Sequence, residues 1–164
     1  MGITLVDRLT LPEDTFLDGS YRIIRVIGSG GFGITYEAVD IKLATRVAIK
    51  EYFPLDFGDR DASQTVRPKS VAKAQMFEWG RDNFLTEAKT LASFDHTGIV
   101  RVLRVFEANE TAYMVMRFEK GLSFEAWLKS LDRLPTQAEL DAISRPLLDA
   151  LDVLHSVNYL HRDI

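Results

Sequence analysis

Apolar and polar positions change period several times along this chain, and each change marks an element. The run Tyr21-Arg-Ile-Ile-Arg-Val-Ile27 reads as a strand. Farther on, Ile34, Tyr36 and Ala38 alternate with Thr35 and Glu37, the period of two of a second strand. Arg46-Val47-Ala48-Ile49-Lys50 reads as a third, with Ala48 and Lys50 on one face and Val47 and Ile49 on the other. Residues 99–106 and 111–116 form a hairpin joined by Glu107-Ala-Asn-Glu110. Helical spacing appears at 81–94, where Phe84, Leu85, Ala88, Leu91 and Ala92 share a face. It returns in a short amphipathic helix over 122–130 and in the longest helix, over 136–156. There Leu140, Ile143, Leu147, Leu151 and Leu154 make the apolar stripe. Thr136 and Glu139 supply a capping box, and Pro146 predicts a kink. Residues 1–20 read as an irregular leader arm. Residues 51–80, broken by Phe53-Pro54, Phe57-Gly58 and Arg67-Pro68, read as a long insertion with a short helix over 71–77.

Composition narrows the class. Hydrophobic residues make up 46% and charged residues 27% of 164 residues, a soluble globular balance. The net charge of −4, without a block of like charges, argues against nucleic acid as the main partner. No apolar run reaches membrane-spanning length, and the N-terminus lacks the basic and apolar regions of a signal peptide. With no cysteine, disulfides and thiolate metal sites are out, which fits a cytoplasmic protein. The 3 histidines, His96, His155 and His161, show no metal-ligand spacing.

The candidate chemistry lies between the first two strands, at Gly28-Ser29-Gly30-Gly31-Phe32-Gly33. A Gly-x-Gly-x-x-Gly run by itself fits a dinucleotide-binding turn, a kinase phosphate loop or a flexible hairpin. A dinucleotide turn opens a helix after its third glycine, whereas here a strand follows. No Gly-Lys-Ser/Thr follows either, which excludes a P-loop. Strand, glycine turn and strand describe a hairpin over a ligand, because glycine lets backbone N–H groups approach phosphate oxygens. Small Ala48 leaves room for a flat ring, and Lys50 offers a point charge. Glu87 lies on the inward stripe of helix 81–94, where a carboxylate needs a cation, and Lys50 is the obvious one. Glu78 and Glu51 are weaker candidates, since Glu51 points to the other face of its strand.

On these residues the chain resembles the protein kinase family. Gly28, Gly30 and Gly33 match its glycine-rich loop, and Lys50 the lysine of its Val-Ala-Ile-Lys strand. Thr35 stands where that family usually has Val. Gly-Phe-Gly-Ile-Thr-Tyr and Ala-Ile-Lys-Glu-Tyr-Phe-Pro look like bacterial-type Ser/Thr kinases. The resemblance implies an α+β fold: an N-lobe over 21–116, with a five-stranded antiparallel sheet and one helix (the family's αC) and an insertion at 51–80. A hinge over 117–121 and the start of a helical C-lobe over 122–164 follow. It implies a Lys50–Glu87 ion pair. It implies ATP bound by Ile27, Gly28, Ser29, Gly30, Gly31, Phe32, Gly33, Thr35, Ala48 and Lys50, with Met116 as gatekeeper. Arg117 C=O and Glu119 N–H would pair with the adenine edge. His161-Arg162-Asp163 resembles the start of the catalytic loop, which makes Asp163 the acceptor of a protein substrate's hydroxyl proton.

The sequence given ends one residue after Asp163. The Asn and Asp-Phe-Gly that hold Mg²⁺ in the family have no counterpart here, so no metal ligand is assigned. The expectation is a chain inactive alone, with an uncovered stripe on helix 136–156 that needs a partner. The competing reading is a non-catalytic nucleotide-binding or interaction module derived from a kinase.

Overall fold

The computed structural model describes residues 9–160, arranged as two units, one of residues 9–94 and 101–118 and one of residues 95–100 and 119–160. The first unit holds β1 (Phe16–Leu17), β2 (Tyr21–Gly30), β3 (Gly33–Asp40), β4 (Thr45–Tyr52), β5 (Gly58–Arg60), β6 (Val66–Pro68), α1 (Val71–Ala92), β7 (Val102–Ala108) and β8 (Thr111–Arg117). The second holds α2 (Phe124–Ser130) and α3 (Gln137–Ser156).

An antiparallel sheet of six strands, in the order β1-β2-β3-β4-β8-β7, forms the first unit, with β5 and β6 as a separate hairpin. Alternation decides what each face meets. Tyr52 on β4 turns toward α1, whose buried residues are Phe77, Phe84, Ala88 and Leu91. On the opposite face Tyr36, Ile49, Glu51 and Tyr113 are buried, and Arg60 of β5 reaches down to them. The sheet also curls. Tyr21 of β2 stacks on Phe106 of β7 at 5.8 Å, and Asp18 and Arg104 form an ion pair at 2.5 Å. Both contacts join opposite ends of the strand order.

The structure corrects several expectations. The sheet has six strands rather than five, because Phe16–Leu17, inside the supposed irregular arm, pairs with Tyr21 and Arg22. A strand of two residues is too short to show a period. The helix starts at Val71 rather than 81, taking in the short helix of 71–77 and running through Gly80. Part of the supposed insertion is therefore sheet, hairpin and helix. The strand expected from 99 starts at Val102. Residues 95–100 instead form a loop on α3. A Cβ on Gly98 would lie 2.9 Å from Ala150 Cβ and 3.0 Å from the Pro146 carbonyl, so glycine is what permits that approach.

In the second unit the expected capping box is present on α3. Thr136 Oγ1 accepts from Glu139 N–H, and the Glu139 carboxylate accepts from Thr136 N–H. Arg133 adds two bonds of 2.8 Å to the same carboxylate. That guanidinium first, and the Thr136 bonds next, hold the Glu139 carboxyl down at about 2. The apolar stripe is uneven. Ala150 and Leu154 are buried, whereas Ile143, Leu147 and Leu148 are exposed. Leu122, Phe124, Trp127 and Ile143 line a shallow apolar depression.

Candidate functional site

The glycine turn is tighter than its sequence implies. The β2–β3 ladder continues through Gly28↔Thr35, Ser29↔Ile34 and Gly30↔Gly33, so Gly31 and Phe32 alone form the tip. That tip is pinned from below: Phe53 N–H donates to the Phe32 carbonyl at 3.2 Å and Leu55 N–H to the Gly31 carbonyl at 3.1 Å. The Phe32 ring stands in solvent.

The glycines have different reasons to be glycine. A Cβ on Gly33 would lie 2.6 Å from the Glu51 carbonyl oxygen, which is backbone and has no room to retreat. Around Gly30 and Gly31 nothing lies within 4 Å. Packing requires the first and leaves the others unexplained, which is what a surface kept bare for a ligand looks like. Gly33→Ala is therefore expected to cost about 1–3 kcal/mol as overpacking. Gly30→Ala should stay within about 0.5 kcal/mol of the parent. Thermal unfolding of the two variants checks this, and equal shifts would contradict it.

Cross-strand register assembles the rest of the face. Thr35 pairs with Lys50 and Lys50 with Met114, while Glu37 pairs with Ala48 and Ala48 with Met116. Residues opposite each other on neighbouring strands point to the same face, so Thr35, Ala48, Lys50 and Met116 share one. Ala48 and Met116 are buried, Thr35 and Lys50 half-buried, and Ile27 exposed. Glu37, unremarked in the sequence, is buried at the rim of this face and held by Arg25 at 2.7 Å and Arg46 at 3.0 Å.

Lys50 Nζ lies 3.9 Å from Glu87 Oε1 on α1 and 5.9 Å from the Phe84 ring centre. The first is an ion-pair distance, longer than a hydrogen bond. A Cβ built on Gly33 would sit 3.7 Å from Lys50 Cε, so the lysine stem runs beside the glycine turn. Of the weaker candidates, Glu78 pairs with Arg81 at 2.6 Å. Glu51 turns away into the opposite face and pairs with Arg60 at 2.5 Å. Arg117 closes β8, Glu119 falls in the second unit, and Asp163 lies outside the described residues.

Sequence reasoning missed the cluster around Glu51. Its Oε2 accepts from Tyr36 Oη at 2.8 Å as well as from Arg60, and its Oε1 from Tyr113 Oη at 2.6 Å. Burial, then the Glu51 charge, pushes both phenols well above their usual range, so they remain donors. Burial works against the Arg60 charge, but Glu51 and the two phenols outweigh it and the guanidinium is held more firmly protonated than usual.

A primary ammonium beside a bare backbone turn, braced by a carboxylate, is suited to holding phosphate oxygens. Comparison with known proteins points the same way. The family model described as protein kinase domain matches residues 21–164. Serine/threonine-protein kinase PknA of Mycobacterium tuberculosis is 31% identical over 153 residues, covering 90% of this chain and 31% of that protein. Serine/threonine-protein kinase PrkC of Bacillus subtilis is 28% identical over 153 residues, covering 90% of this chain and 20% of its own length. The chain thus spans a third or less of these relatives. The solved apo form of PpkA-294 superposes with a TM-score of 0.87 at 34% identity, covering 94% of this chain and 55% of that one. Rad53, solved with AMP-PNP, shares the fold at a TM-score of 0.66 and 24% identity, over 88% of this chain and 33% of its own.

Proposed function

The chain belongs to the protein kinase family, and on that premise we propose that it is the ATP-binding part of a serine/threonine protein kinase. The observation that carries this reading is the Lys50–Glu87 pair, at 3.9 Å, set beside a glycine turn whose Gly30 and Gly31 have no packing reason to be glycine. Lys50 holds the ATP phosphates, Glu87 holds Lys50, and the backbone of 28–33 covers the phosphates. Ile27, Thr35, Ala48 and Met116 line the base, and Arg117 C=O and Glu119 N–H bond its edge. In this reading 21–116 is the N-lobe, 117–121 the hinge, and 122–164 the start of the C-lobe. In the whole kinase the γ-phosphoryl group leaves the ADP oxygen for a Ser or Thr hydroxyl oxygen of a protein substrate, and the hydroxyl proton passes to Asp163.

Mg²⁺ accompanies ATP in such chemistry and neutralises its phosphates. No group of three His, Asp or Glu side chains converges among the described residues to hold it. No helix of the described residues is long and apolar enough to cross a membrane. We place the protein in the cytoplasm, where ATP and protein hydroxyls meet.

ATP with Mg²⁺ should raise the melting temperature. At a concentration 100 times Kd the stabilisation is about 2.7 kcal/mol. No shift at millimolar ATP would remove the proposal. A second reading, a non-catalytic nucleotide-binding or interaction module, draws on the exposed Ile143, Leu147 and Leu148. ATP binding without transfer to any Ser/Thr protein substrate in the intact protein would favour it.

A further inference from the structure

Gly80 breaks a local rule. It sits inside α1, where alanine is the better helix former. The reason lies on β4. A Cβ on Gly80 would collide with Tyr52 Oη, and would lie 3.0 Å from Tyr52 Cζ and 3.3 Å from Cε2. Tyr52 has no slack. Its ring is buried against Phe77 at 5.3 Å and Phe84 at 5.9 Å between centroids. Its Oη donates to the Phe77 carbonyl at 3.1 Å. Burial first, and Glu78 next, push this phenol up to about 12, so it remains a donor at neutral pH.

The seat is continuous with the candidate site. Tyr52 is two residues beyond Lys50 on the same face of β4. Phe84 touches the Tyr52 ring and also lies under the Lys50 ammonium. Glu87 follows Phe84 by three residues on α1, close to one helical turn. Strand and helix therefore meet at two neighbouring points: Tyr52 with Phe77, Gly80 and Phe84, then Lys50 with Phe84 and Glu87. The N-terminal end of α1 is tethered as well, with Lys73 Nζ donating to the Asp56 carbonyl at 2.7 Å.

We propose that the contact of Tyr52 with Gly80 is a positioning element. It sets how closely α1 lies on β4, and through that the approach of Glu87 to Lys50. In most helix–sheet contacts a side chain on the helix fixes the spacing. Here the helix contributes bare backbone and the strand contributes the phenol, so the spacing depends on the absence of one methyl group. The pair is then set by the fold before nucleotide arrives. The functional meaning rests on the reading of Lys50 and Glu87 as a nucleotide-binding pair; the mechanical part does not.

The test uses three variants of the intact protein: Gly80→Ala, Tyr52→Phe, and the two combined. Residues 1–164 contain no cysteine, so within them spin labels attach only where cysteine is introduced. Thr86→Cys on α1 and Lys42→Cys after β3 are exposed and lie in the same unit. Gly80→Ala is expected to lengthen the label distance without nucleotide and to weaken ATP binding by about tenfold, since a Lys50 no longer braced by Glu87 loses part of a charge-assisted contact with the phosphates. Tyr52→Phe alone keeps the ring and should leave both close to the parent. The double variant, with the Oη gone, should recover most of both, since only the ring contacts of 3.0 and 3.3 Å then remain.

A Gly80→Ala protein that melts earlier but keeps the parent's distance and affinity overturns the proposal, because the contact would then be merely structural. If Gly80→Ala does not fold, the double variant decides. Recovery of fold, distance and affinity supports the seat, and a double variant as impaired as the single refutes it. If the parent binds no ATP, the functional reading fails, while the label distances still decide whether the seat sets α1.

Discussion

Arg60→Ala is expected to cost the first unit about 3–5 kcal/mol, the range for removing one partner of a buried ion pair. The Arg60 and Glu51 side chains are 1% and 0% exposed, so solvent cannot replace the lost charge. Arg60 also donates from Nε to the Leu9 carbonyl at 2.7 Å and from Nη1 to the Gln64 carbonyl at 3.0 Å. Its removal therefore orphans a carboxylate and two carbonyls together. Tyr36 and Tyr113 still donate to Glu51, but two neutral hydrogen bonds do not neutralise a buried charge. Urea unfolding measures the loss. A loss below about 1 kcal/mol would mean that water enters the cluster and the burial argument fails. The companion variant Glu51→Leu with Arg60→Met removes both charges and should cost less than Arg60→Ala, the remaining loss coming from the Tyr36 and Tyr113 hydroxyls and the Leu9 and Gln64 carbonyls, which lose these partners.

The cluster has a second consequence, because Glu51 directly follows Lys50. A one-residue slip of β4 would exchange their faces. Lys50 would enter the buried cluster and meet Arg60, and Glu51 would face the candidate phosphate site. Both placements are electrostatically wrong. The Glu51–Arg60 pair thus selects the register that presents Lys50, which gives the buried ion pair a role beyond its contribution to stability.

Local pattern carried much of this architecture and failed where contacts are distant or elements short. Alternation at 34–38 and 46–50 placed Lys50 and Ala48 on one face because period two leaves no other choice. Thr136 and Glu139 announced α3 because capping is decided within four residues. Glu87 could be paired with Lys50 from its place on the apolar stripe of the helix, although its side chain is 40% exposed. Arg60 could not be paired with Glu51 in this way, since it sits among prolines and glycines that read as loop. The strands β5 and β6 have three residues each, too few for a period. The start of α1 was hidden for physical reasons too. Ser70 makes no side-chain cap bond, and Val71, Met76 and Trp79 are exposed, blurring the helical stripe. The supposed insertion was ended at Gly80, whose reason to be glycine, Tyr52, lies on another element.

Lys50→Ala should lower phosphoryl transfer by the intact protein by about 100- to 1,000-fold, the scale for removing one preorganised electrostatic donor from a transition state. Function and fold separate at this residue. Lys50 and Glu87 side chains are 37% and 40% exposed, and pairs this exposed contribute about 0–1 kcal/mol to stability. The melting temperature should therefore hardly move while transfer collapses. Lys50→Arg is not expected to rescue, because a planar fork replaces a point charge on a strand whose neighbours Thr35 and Met114 leave a fixed space. Glu87→Gln should cost less than Lys50→Ala, since the amide oxygen still faces the ammonium and the Phe84 ring stays beneath it. Transfer from γ-labelled ATP to a Ser/Thr protein substrate, with thermal unfolding of the same samples, reads both quantities. Loss of both together in Lys50→Ala would make the lysine structural, and transfer retained within tenfold would remove it from the site. Loss of transfer with the fold intact ties phosphate binding to one ammonium, presented by a strand whose register a buried ion pair on the opposite face selects.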